Sequence, residues 1–458
     1  MAYTEEDAAR RAVRIPRVLL PEDADMYVWA VNACDQFTSN AAYWREVEKI
    51  AEGKLSTYHL IFPEIYLKDD PDGRIAKINA DMYVWAVNAC DQFTSNAAYW
   101  REVEKIAEGK LSTYHLIFPE IYLKDDPEGR IAKINADMRS YLADGVFKEV
   151  DGGFILVERT TSSGTRTGIV LAIDLECYSF VPEDGALIRS TEATVLDRLP
   201  PRVKIRKDAP LELPHVMLLY NDPQSRVLSA AERGEVLYDF DLNMGGGHVK
   251  GTYIKNAEQV INAFSSLLPE GAGSEGRMLF AVGDGNHSLA AAKLCWEQIK
   301  GSLSPAQQAV YPARFALCEA VNIYDGALGF HPIHRFIRTS CPERFVGGWN
   351  IRGGGTAVAV SGGKKTELSF PSDVPQGIRL LDEYIASFIK EYGGEVDYIH
   401  GDGDLVALAE EGVGILLPPI EKGDFFPLIE RGGNLPKKTF SMGEGSEKRY
   451  YIEAKKIK

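Results

Sequence analysis

The stretch FAVGDGNHSLAAAKL, residues 280–294, decides the fold because its hydrophobic period changes within a few residues. The apolar run before the Asp-Gly pair is typical of a buried strand. After the polar cluster, apolar residues recur at helical spacing, at Leu289, Ala292, Trp296 and Ile299. A strand that passes through a short loop, Gly283–Ser288, into a helix predicts an α/β or α+β fold.

The same loop is the best candidate for a ligand site. Gly283 and Gly285 permit tight or left-handed backbone. A loop at a helix N-terminus attracts anions, because unpaired N–H groups and the helix dipole point at it. Asp284 could then hold a metal ion, accept a proton or cap the helix, and His287 could donate to a phosphoryl oxygen. The alternative is an Asp-Gly turn in which Ser288 is an ordinary N-cap.

The flanking segments extend the alternation of strands and helices. Residues 153–161, 166–180, 211–222 and 312–325 are predicted strands, and residues 249–271 are a predicted helix. The composition becomes glycine-rich near residue 340, and helix and strand patterns alternate beyond it. We therefore predict an N-terminal region over 1–138, a central ligand-binding or phosphotransfer domain over 139–340, and a C-terminal α/β domain over 341–458.

Composition and charge exclude several classes of protein. The 458 residues are 45% hydrophobic and 26% charged, as in a globular protein, and the net charge of −15 disfavours nucleic acid as the main partner. No apolar stretch approaches the ~20 residues of a membrane span. The N-terminus lacks the apolar core of a signal peptide, so a cytoplasmic location is expected. None of the six cysteines forms a Cys-x-x-Cys pair, so neither a zinc site nor a disulfide framework is indicated.

The N-terminal region contains a 56-residue unit twice, at residues 24–79 and 80–135. The copies differ only in Asp72 against Glu128. Repeats of solenoid proteins drift in sequence and usually number three or more, so a functional array is not indicated. Because the chain downstream offers a single set of partners, we predict that only one copy makes the native core contacts.

Five segments, in order along the chain, carry a resemblance to a known family. They are STEATVLDR (190–198), VMLLYND (216–222), GDGNHSLAAA (283–292), FHPIHRF (330–336) and GILLPPI with GGNLPKKTFSM (414–442). They resemble a large bacterial family of unknown function known as domain of unknown function ten-fifteen. Its Asp-Gly-His-His-Arg signature is similar to motifs of free-serine kinases and of the ParB and sulfiredoxin superfamily. The resemblance implies a ParB/sulfiredoxin-like central domain and serine-kinase-like chemistry.

The chain departs from this signature at two positions. Asn286 stands where the family has its first histidine, and Ser288 stands where it has an arginine. Loss of the arginine removes a bidentate phosphate clamp. A downstream basic stretch could supply the missing charge, although a solvated loop is the alternative. It comprises Arg198, Arg202, Lys204, Arg206 and Lys207.

The resemblance also implies an acid/base pair. Glu192 matches the acidic residue of the family's Glu-x-Thr segment, and Asp284 is the carboxylate of the main motif. In this interpretation Glu192, Asp284 and His287 are catalytic, Asp284 holds magnesium, and ATP or ADP is the cofactor. Gly283, Gly285, Asn286 and Ser288 would contact the nucleotide together with Arg198 and Arg202. The alternative to a catalytic Glu192 is an exposed loop carboxylate.

Two functions are therefore expected. The first is a nucleotide-dependent phosphotransferase acting on a small hydroxylated metabolite, with serine suggested by the resemblance. The second is a non-catalytic nucleotide or phosphate sensor, suggested by Asn286 and Ser288. A homo-oligomer is possible, and membrane partners are not indicated. Three further segments carry little specific signal: 243–251 as an anion nest or hairpin tip, 400–404 as a metal loop, and His334-Arg335 as structural residues or ligands.

Overall fold

The computed structural model describes residues 10, 12–21, 31–32, 111, 113–118, 122, 125–213, 215–242, 247–268, 277–442 and 448–458. The chain divides into two compact units. The first unit comprises Met1–Ser190, Thr194–Ala327 and Glu444–Lys458, and the second comprises Thr191–Ala193 and Leu328–Gly443. These limits are not those of the predicted intervals 139–340 and 341–458, which stay a prediction.

The strands described in the first unit up to residue 322 are β1 (Val13–Arg14), β2 (Val18–Pro21), β3 (Val31–Asn32), β4 (Phe147–Val150), β5 (Phe154–Thr161), β6 (Gly164–Asp174), β7 (Tyr178–Ser179), β8 (Ile188–Ser190), β9 (Leu211–Glu212), β10 (Met217–Tyr220), β11 (Arg233–Leu242), β12 (Gly247–Ile254), β13 (Phe280–Asp284) and β14 (Phe315–Asn322). Ten of them form a mixed sheet at the centre of the unit, in the order β11-β12-β5-β6-β14-β10-β13-β8-β7 with β1 also on β6. The pair β2 and β4 lies outside this sheet.

In the part of the chain that the structure describes, six α-helices belong to the same unit. They are α1 (Pro127–Ala143), α2 (Leu199–Lys207), α3 (Arg226–Ala230), α4 (Ala257–Ser265), α5 (Asn286–Lys300) and α6 (Pro305–Val310). Among the described residues, no helix has both the length and the apolar character that crossing a bilayer requires.

The sheet is buried on both faces. Along β5, Ile155 and Val157 enter one hydrophobic core, while Phe154 and Leu156 enter another. Because successive strand residues point to opposite faces, these cores lie on the two sides of the sheet. Helix α1 joins the first core, and α4 and α5 join the second. The predicted α/β class is confirmed; the ParB/sulfiredoxin-like layout stays a prediction.

The helix predicted over 249–271 is wrong in its first half. Residues Gly247–Ile254 form β12, paired antiparallel with both β11 and β5, and only Ala257–Ser265 is helical. The β-branched residues Val249, Thr252 and Ile254 are buried, and Val249 and Ile254 enter the cores on opposite faces of the sheet, which favours a pleated strand between two neighbours. The predicted hairpin at 243–251 exists between β11 and β12, and its tip at 243–246 lies outside the described residues.

The elements described in the second unit are β15 (Phe330–Arg338), α7 (Pro342–Gly347), β16 (Gly355–Ser361), β17 (Lys364–Phe370), α8 (Val374–Tyr392), β18 (Glu395–His400), α9 (Asp402–Leu408), β19 (Gly412–Leu416), α10 (Lys422–Gly432) and β20 (Phe440–Met442). The strands form an antiparallel sheet in the order β17-β16-β19-β15-β18, with β20 on β15. The amphipathic helix α8 packs Ile378, Leu381 and Ile385 into the core of this sheet.

The last eleven residues return to the first unit. Strand β21 (Tyr450–Tyr451) pairs with β3, and β22 (Lys455–Lys456) pairs with β9. Between these strands, Leu19 and Ala454 exchange two backbone hydrogen bonds of 2.7 and 2.9 Å. The side chains of Tyr450 and Ile452 are buried in the first core. The C-terminal segment is therefore an integral part of the unit that contains residues 280–294.

The two copies of the 56-residue unit contribute different parts to the first unit. The first copy supplies β3, and the second copy supplies residues 113–118 and the first half of α1. The buried core residues of the second copy are Tyr114, Leu116, Tyr122, Ile131 and Ile134. No position of the unit is used twice among the described residues. All described core residues of the unit thus belong to the second copy, while the first copy contributes the strand β3. Most of the first copy lies outside the described residues, so the prediction that only one copy makes the native core contacts stays a prediction.

Deleting either copy should leave a protein that folds at least as stably as the full chain. The two deletions leave sequences that differ at one position only. Deleting residues 24–79 keeps Glu128, and deleting residues 80–135 keeps Asp72. Glu128 forms an exposed ion pair with Lys204, and such pairs add little stability. Thermal melts of both deletions should therefore superimpose. A large loss of stability in both would mean that the two copies are structural.

Candidate functional site

The junction between β13 and α5 is the centre of the candidate site. Strand β13 ends at Asp284, and α5 begins at Asn286. The single residue between them, Gly285, has φ +81°, a conformation that other residues rarely adopt. A Cβ on this glycine would lie 3.0 Å from Val216 Cγ2 and 3.1 Å from Val216 Cα. The turn is therefore tight, and both its backbone conformation and the neighbouring Val216 require glycine at this position.

The predicted loop Gly283–Ser288 joins a strand to a helix as expected, but most of it is regular structure. Gly283 is in the strand, and Asn286 and Ser288 are in the first turn of the helix. The alternative in which Ser288 is the N-cap is wrong, because Gly285 occupies that position and no side chain caps the helix. The N–H groups of a first helical turn have no acceptor within the helix, so they can bind an anion.

Asp284 is held by two different donors. Its Oδ1 accepts a 2.8 Å hydrogen bond from the Gly285 N–H, and its Oδ2 lies 3.2 Å from Lys448 Nζ. The Lys448 side chain is 9% exposed and the Asp284 side chain 21%. A cation from the C-terminal segment is thus fixed at the strand–helix junction. Sequence reasoning missed Lys448, since 164 residues separate it from Asp284.

His287 is oriented by the backbone of a distant segment. Its Nε2 accepts a 3.2 Å hydrogen bond from the Val195 N–H. A neutral imidazole that accepts at Nε2 carries its proton on Nδ1. The predicted role of His287 as a donor to a phosphoryl oxygen stays a prediction.

Two buried oxygen atoms flank this histidine. Among the described residues, neither Asn286 Oδ1 nor Thr194 Oγ1 has a hydrogen-bond partner. Buried polar atoms are normally paired, and an exception indicates a bound molecule or water. Thr194 precedes Val195, the residue bonded to His287, and was not among the predicted site residues.

A buried charged cluster lies next to Lys448. Arg449 Nε donates a 2.8 Å hydrogen bond to Glu319, and its Nη2 donates a 2.6 Å bond to Glu453. All three side chains are at most 5% exposed. The strand register explains the neighbourhood, because Met217 on β10 pairs with Asp284 on one side and with Glu319 on the other. The C-terminal segment thus brings consecutive cations to two carboxylates on the strands at either side of β10.

Gly168 makes room for this cluster. A Cβ at this position would lie 2.5 Å from Glu319 Oε1, so any other residue would displace the buried carboxylate. The guanidinium of Arg166, on the same strand, is 3.7 Å from that oxygen. Two cations thus balance the charge of Glu319 where water cannot.

Glu192 belongs to the second unit, where it forms a β-bridge with Leu435, and the Leu435 N–H bonds to Thr191 O at 2.7 Å. Asp284 belongs to the first unit. The common cleft predicted for these two carboxylates therefore stays a prediction, as does the catalytic role of Glu192.

The basic stretch forms a helix rather than a solvated loop. Arg198 immediately precedes α2, and Arg202 donates a 3.0 Å hydrogen bond back to Arg198 O. Arg206 Nη2 bonds to the buried Glu212, and Lys204 bonds to Glu128. The charges of Arg206 and Lys204 are therefore already committed to carboxylates.

Glu212 illustrates how completely one of these pairs is buried. Burial by itself would raise the pKa of Glu212, but Arg206 and Lys455 outweigh it and hold the pKa below its ordinary value. Lys293, in the first two turns of α5, is turned away from the junction, since it donates to Leu175 O and pairs with Glu297.

The remaining sequence candidates are structural in the second unit. His334 Nε2 lies 2.8 Å from Asp402, His334 Nδ1 accepts from the Leu417 N–H, and burial lowers the pKa of this histidine. Arg335 is fully buried and pairs with Asp382. Both residues thus stabilise β15 in the second unit, rather than the central domain. Within the described part of the chain, no three His, Cys, Asp or Glu side chains form a metal cluster, and the segment 400–404 is no exception.

The chain matches a known sequence family over more than half of its length. The profile of the family described as "Protein of unknown function (DUF1015)" matches residues 80–347. The match begins at the first residue of the second repeat copy. No curated protein is significantly similar in sequence.

Three solved structures show a low similarity to this chain. A free serine kinase in complex with AMP has a TM-score of 0.34 and 10% identity, covering 63% of this chain and 92% of its own. A conserved hypothetical protein from Pyrococcus furiosus has a TM-score of 0.32 and 11% identity, covering 63% and 95%. SbnI with a C-terminal truncation, from Staphylococcus aureus, has a TM-score of 0.30 and 11% identity, covering 58% and 82%. Similarities this low do not establish a shared fold.

Proposed function

Because this chain belongs to the DUF1015 family of unknown function, we propose its function from its own residues: it is a nucleotide-dependent phosphotransferase that acts on a small hydroxylated metabolite. Serine is the acceptor that the Asp-Gly-x-His motif suggests. The observation that carries the proposal is the junction Asp284-Gly285-Asn286, where a carboxylate, a left-handed glycine and a helix N-terminus meet beside a buried lysine.

The junction suits a phosphoryl group. Phosphoryl transfer needs positioning and charge stabilisation more than covalent chemistry. The first turn of α5 offers N–H donors, His287 offers Nδ1–H, and Lys448 offers a positive charge close by. Gly285 makes this tight junction possible, because a side chain on this residue would collide with Val216.

Asp284 and Glu192 are the proposed acid/base and metal residues. The side chains at the junction do not fit a magnesium site that is complete without phosphate. One carboxylate is present there, and one of its oxygens is paired with Lys448. Mg²⁺ is commonly held by one or two carboxylates together with substrate phosphates, so any ion would arrive with the nucleotide. Glu192 would act as the base on the acceptor hydroxyl.

The test is a titration of the full chain with ATP, ADP and adenosine, with and without magnesium, followed by a transfer assay with serine. We expect ATP and ADP to bind and adenosine to bind weakly, since the site is built for phosphate. Transfer of the terminal phosphoryl group to a hydroxyl supports the phosphotransferase. If neither nucleotide binds under any condition, the proposal is wrong.

A second candidate function is a non-catalytic nucleotide or phosphate sensor. The Asp284–Lys448 ion pair favours it, because a carboxylate neutralised by a lysine is a poorer base and a poorer metal ligand. Nucleotide binding without turnover or transfer, in the same experiment, would select the sensor.

A further inference from the structure

We propose that Lys448 is the cation that binds the phosphoryl group at the β13–α5 junction, and that Asp284 is its counter-ion. This inference rests on the proposed nucleotide function and adds the C-terminal segment to the site. Lys448 lies in the last eleven residues of the chain, so it reaches the junction through tertiary structure and not through its position in the sequence. Its test must therefore separate a role in binding from a role in holding the segment in place.

The first support is where the lysine is held. Its side chain is 9% exposed, and its ammonium is 3.2 Å from the carboxylate that also accepts the Gly285 N–H. Asp284 therefore connects Lys448 directly to Gly285, the residue that precedes α5. An ammonium group has three donors, so a bond to Asp284 does not exhaust its capacity.

The second support is that three of the other cations considered are paired with other carboxylates. Lys293 pairs with Glu297, Lys204 pairs with Glu128, and Arg206 pairs with Glu212. Within the described part of the chain, no other lysine or arginine is within ion-pair distance of Asp284. The charge that a phosphate needs at this junction is thus supplied by the C-terminal segment.

The third support is the anchoring of Lys448 by its neighbour. Arg449 is buried and bonds to both Glu319 and Glu453. Because the adjacent residue is fixed by two charge-assisted bonds, the backbone of Lys448 is held without help from its own side chain. The segment is therefore expected to stay in place when the Lys448 side chain is changed.

The experiment compares Lys448→Met with Lys455→Met. Lys455 is a matched control, since it is a buried lysine of the same segment whose side chain is 7% exposed and which pairs with Glu212. We expect Lys448→Met to weaken ATP and ADP binding by about tenfold to a hundredfold, the range of a charge-assisted hydrogen bond, and to leave adenosine binding unchanged. Lys455→Met should lower the melting temperature without changing the ratio of ATP to adenosine affinity.

Two further variants keep the inference testable. Lys448→Arg keeps the charge and should retain most of the ATP affinity. Lys448→Met combined with Asp284→Asn removes the charge of both partners. This double variant takes the place of Lys448→Met in the comparison of ATP and adenosine binding if Lys448→Met alone fails to fold. The difference in ATP affinity between Lys448→Met and the wild-type protein should shrink at high salt, because added salt screens the charge of Lys448 in the wild-type protein. A difference that shrinks in this way supports the proposal.

The outcomes separate this inference from the proposed function. ATP binding by the wild-type protein together with equal binding by Lys448→Met would overturn the role of Lys448 and leave the phosphotransferase standing. Equal losses of ATP and adenosine affinity in Lys448→Met would assign the lysine a structural role and overturn the inference. If the wild-type protein binds neither ATP, ADP nor inorganic pyrophosphate, both proposals fall.

Discussion

Replacing Asp284 with asparagine should reduce phosphoryl transfer by about a hundredfold or more, the usual contribution of an acid/base carboxylate. Asparagine keeps an oxygen for the Gly285 N–H, which now bonds to Oδ1 at 2.8 Å, but it removes the negative charge. The loss should therefore appear mainly in kcat. The measurement is a steady-state transfer assay with the acceptor in excess.

Asparagine is a better test than alanine for a structural reason. Asp284 is the counter-ion of Lys448, whose side chain is 9% exposed. Alanine would remove both the charge and the hydrogen-bond acceptor, so Asp284→Ala would mix a loss of stability with a loss of chemistry. Asp284→Asn is therefore expected to report on the chemistry with a smaller loss of stability.

Asp373→Asn is the control for Asp284→Asn. Asp373 caps α8 in the second unit, where its side chain accepts a 2.9 Å hydrogen bond from the Gln376 N–H. It shares the residue type and the position before a helix, but it is not at the junction. Its variant should transfer at the wild-type rate. Equal activity of Asp284→Asn and the wild-type protein would remove Asp284 from the mechanism.

Sequence patterns predicted the junction because its signals are local. The strand, the glycine turn and the helix of residues 280–294 lie within fifteen consecutive residues, and each has a period or a conformational requirement. The helix predicted over 249–271 failed where tertiary pairing decides. Residues Gly247–Ile254 lie between two antiparallel neighbours, and no local signal shows that both neighbours exist.

The rest of the candidate site could not be predicted because its contacts are distant in sequence. Lys448 meets Asp284, and Arg449 meets Glu319, only once β13, β10 and β14 are aligned in register. The pattern EKRYYIEAKK at 447–456 mixes charges with aromatic residues, which is also typical of a solvated strand at the edge of a sheet. Only the structure shows that the charges of Arg449, Glu453 and Lys455 are buried.

Arg449→Met should destabilise the fold by roughly 3–5 kcal/mol, the range found when one partner of a buried ion pair is removed. Arg449 is the shared partner of Glu319 and Glu453, whose side chains are 2% and 0% exposed. The variant leaves both carboxylates in a buried site, with Arg166 at 3.7 Å from Glu319 and the Tyr238 hydroxyl at 2.6 Å from Glu453. Chemical denaturation of the full chain measures the loss.

Part of the loss should be recoverable by removing the charge of one of the two partners of Arg449. Adding Glu453→Gln to Arg449→Met should recover part of the loss at neutral pH, because it removes one of the two unpaired charges. The two variants and the wild-type protein form a partial double-mutant cycle.

Arg338→Met is the matched control for Arg449→Met. Arg338 pairs with Glu411 at the surface, where the two side chains are 56% and 63% exposed, and exposed pairs add little to stability. Its unfolding curve should overlay that of the wild-type protein. A loss for Arg449→Met as small as that of the control would mean that the buried cluster does not hold the C-terminal segment, and Lys448 would then lack the anchor that places it beside Asp284.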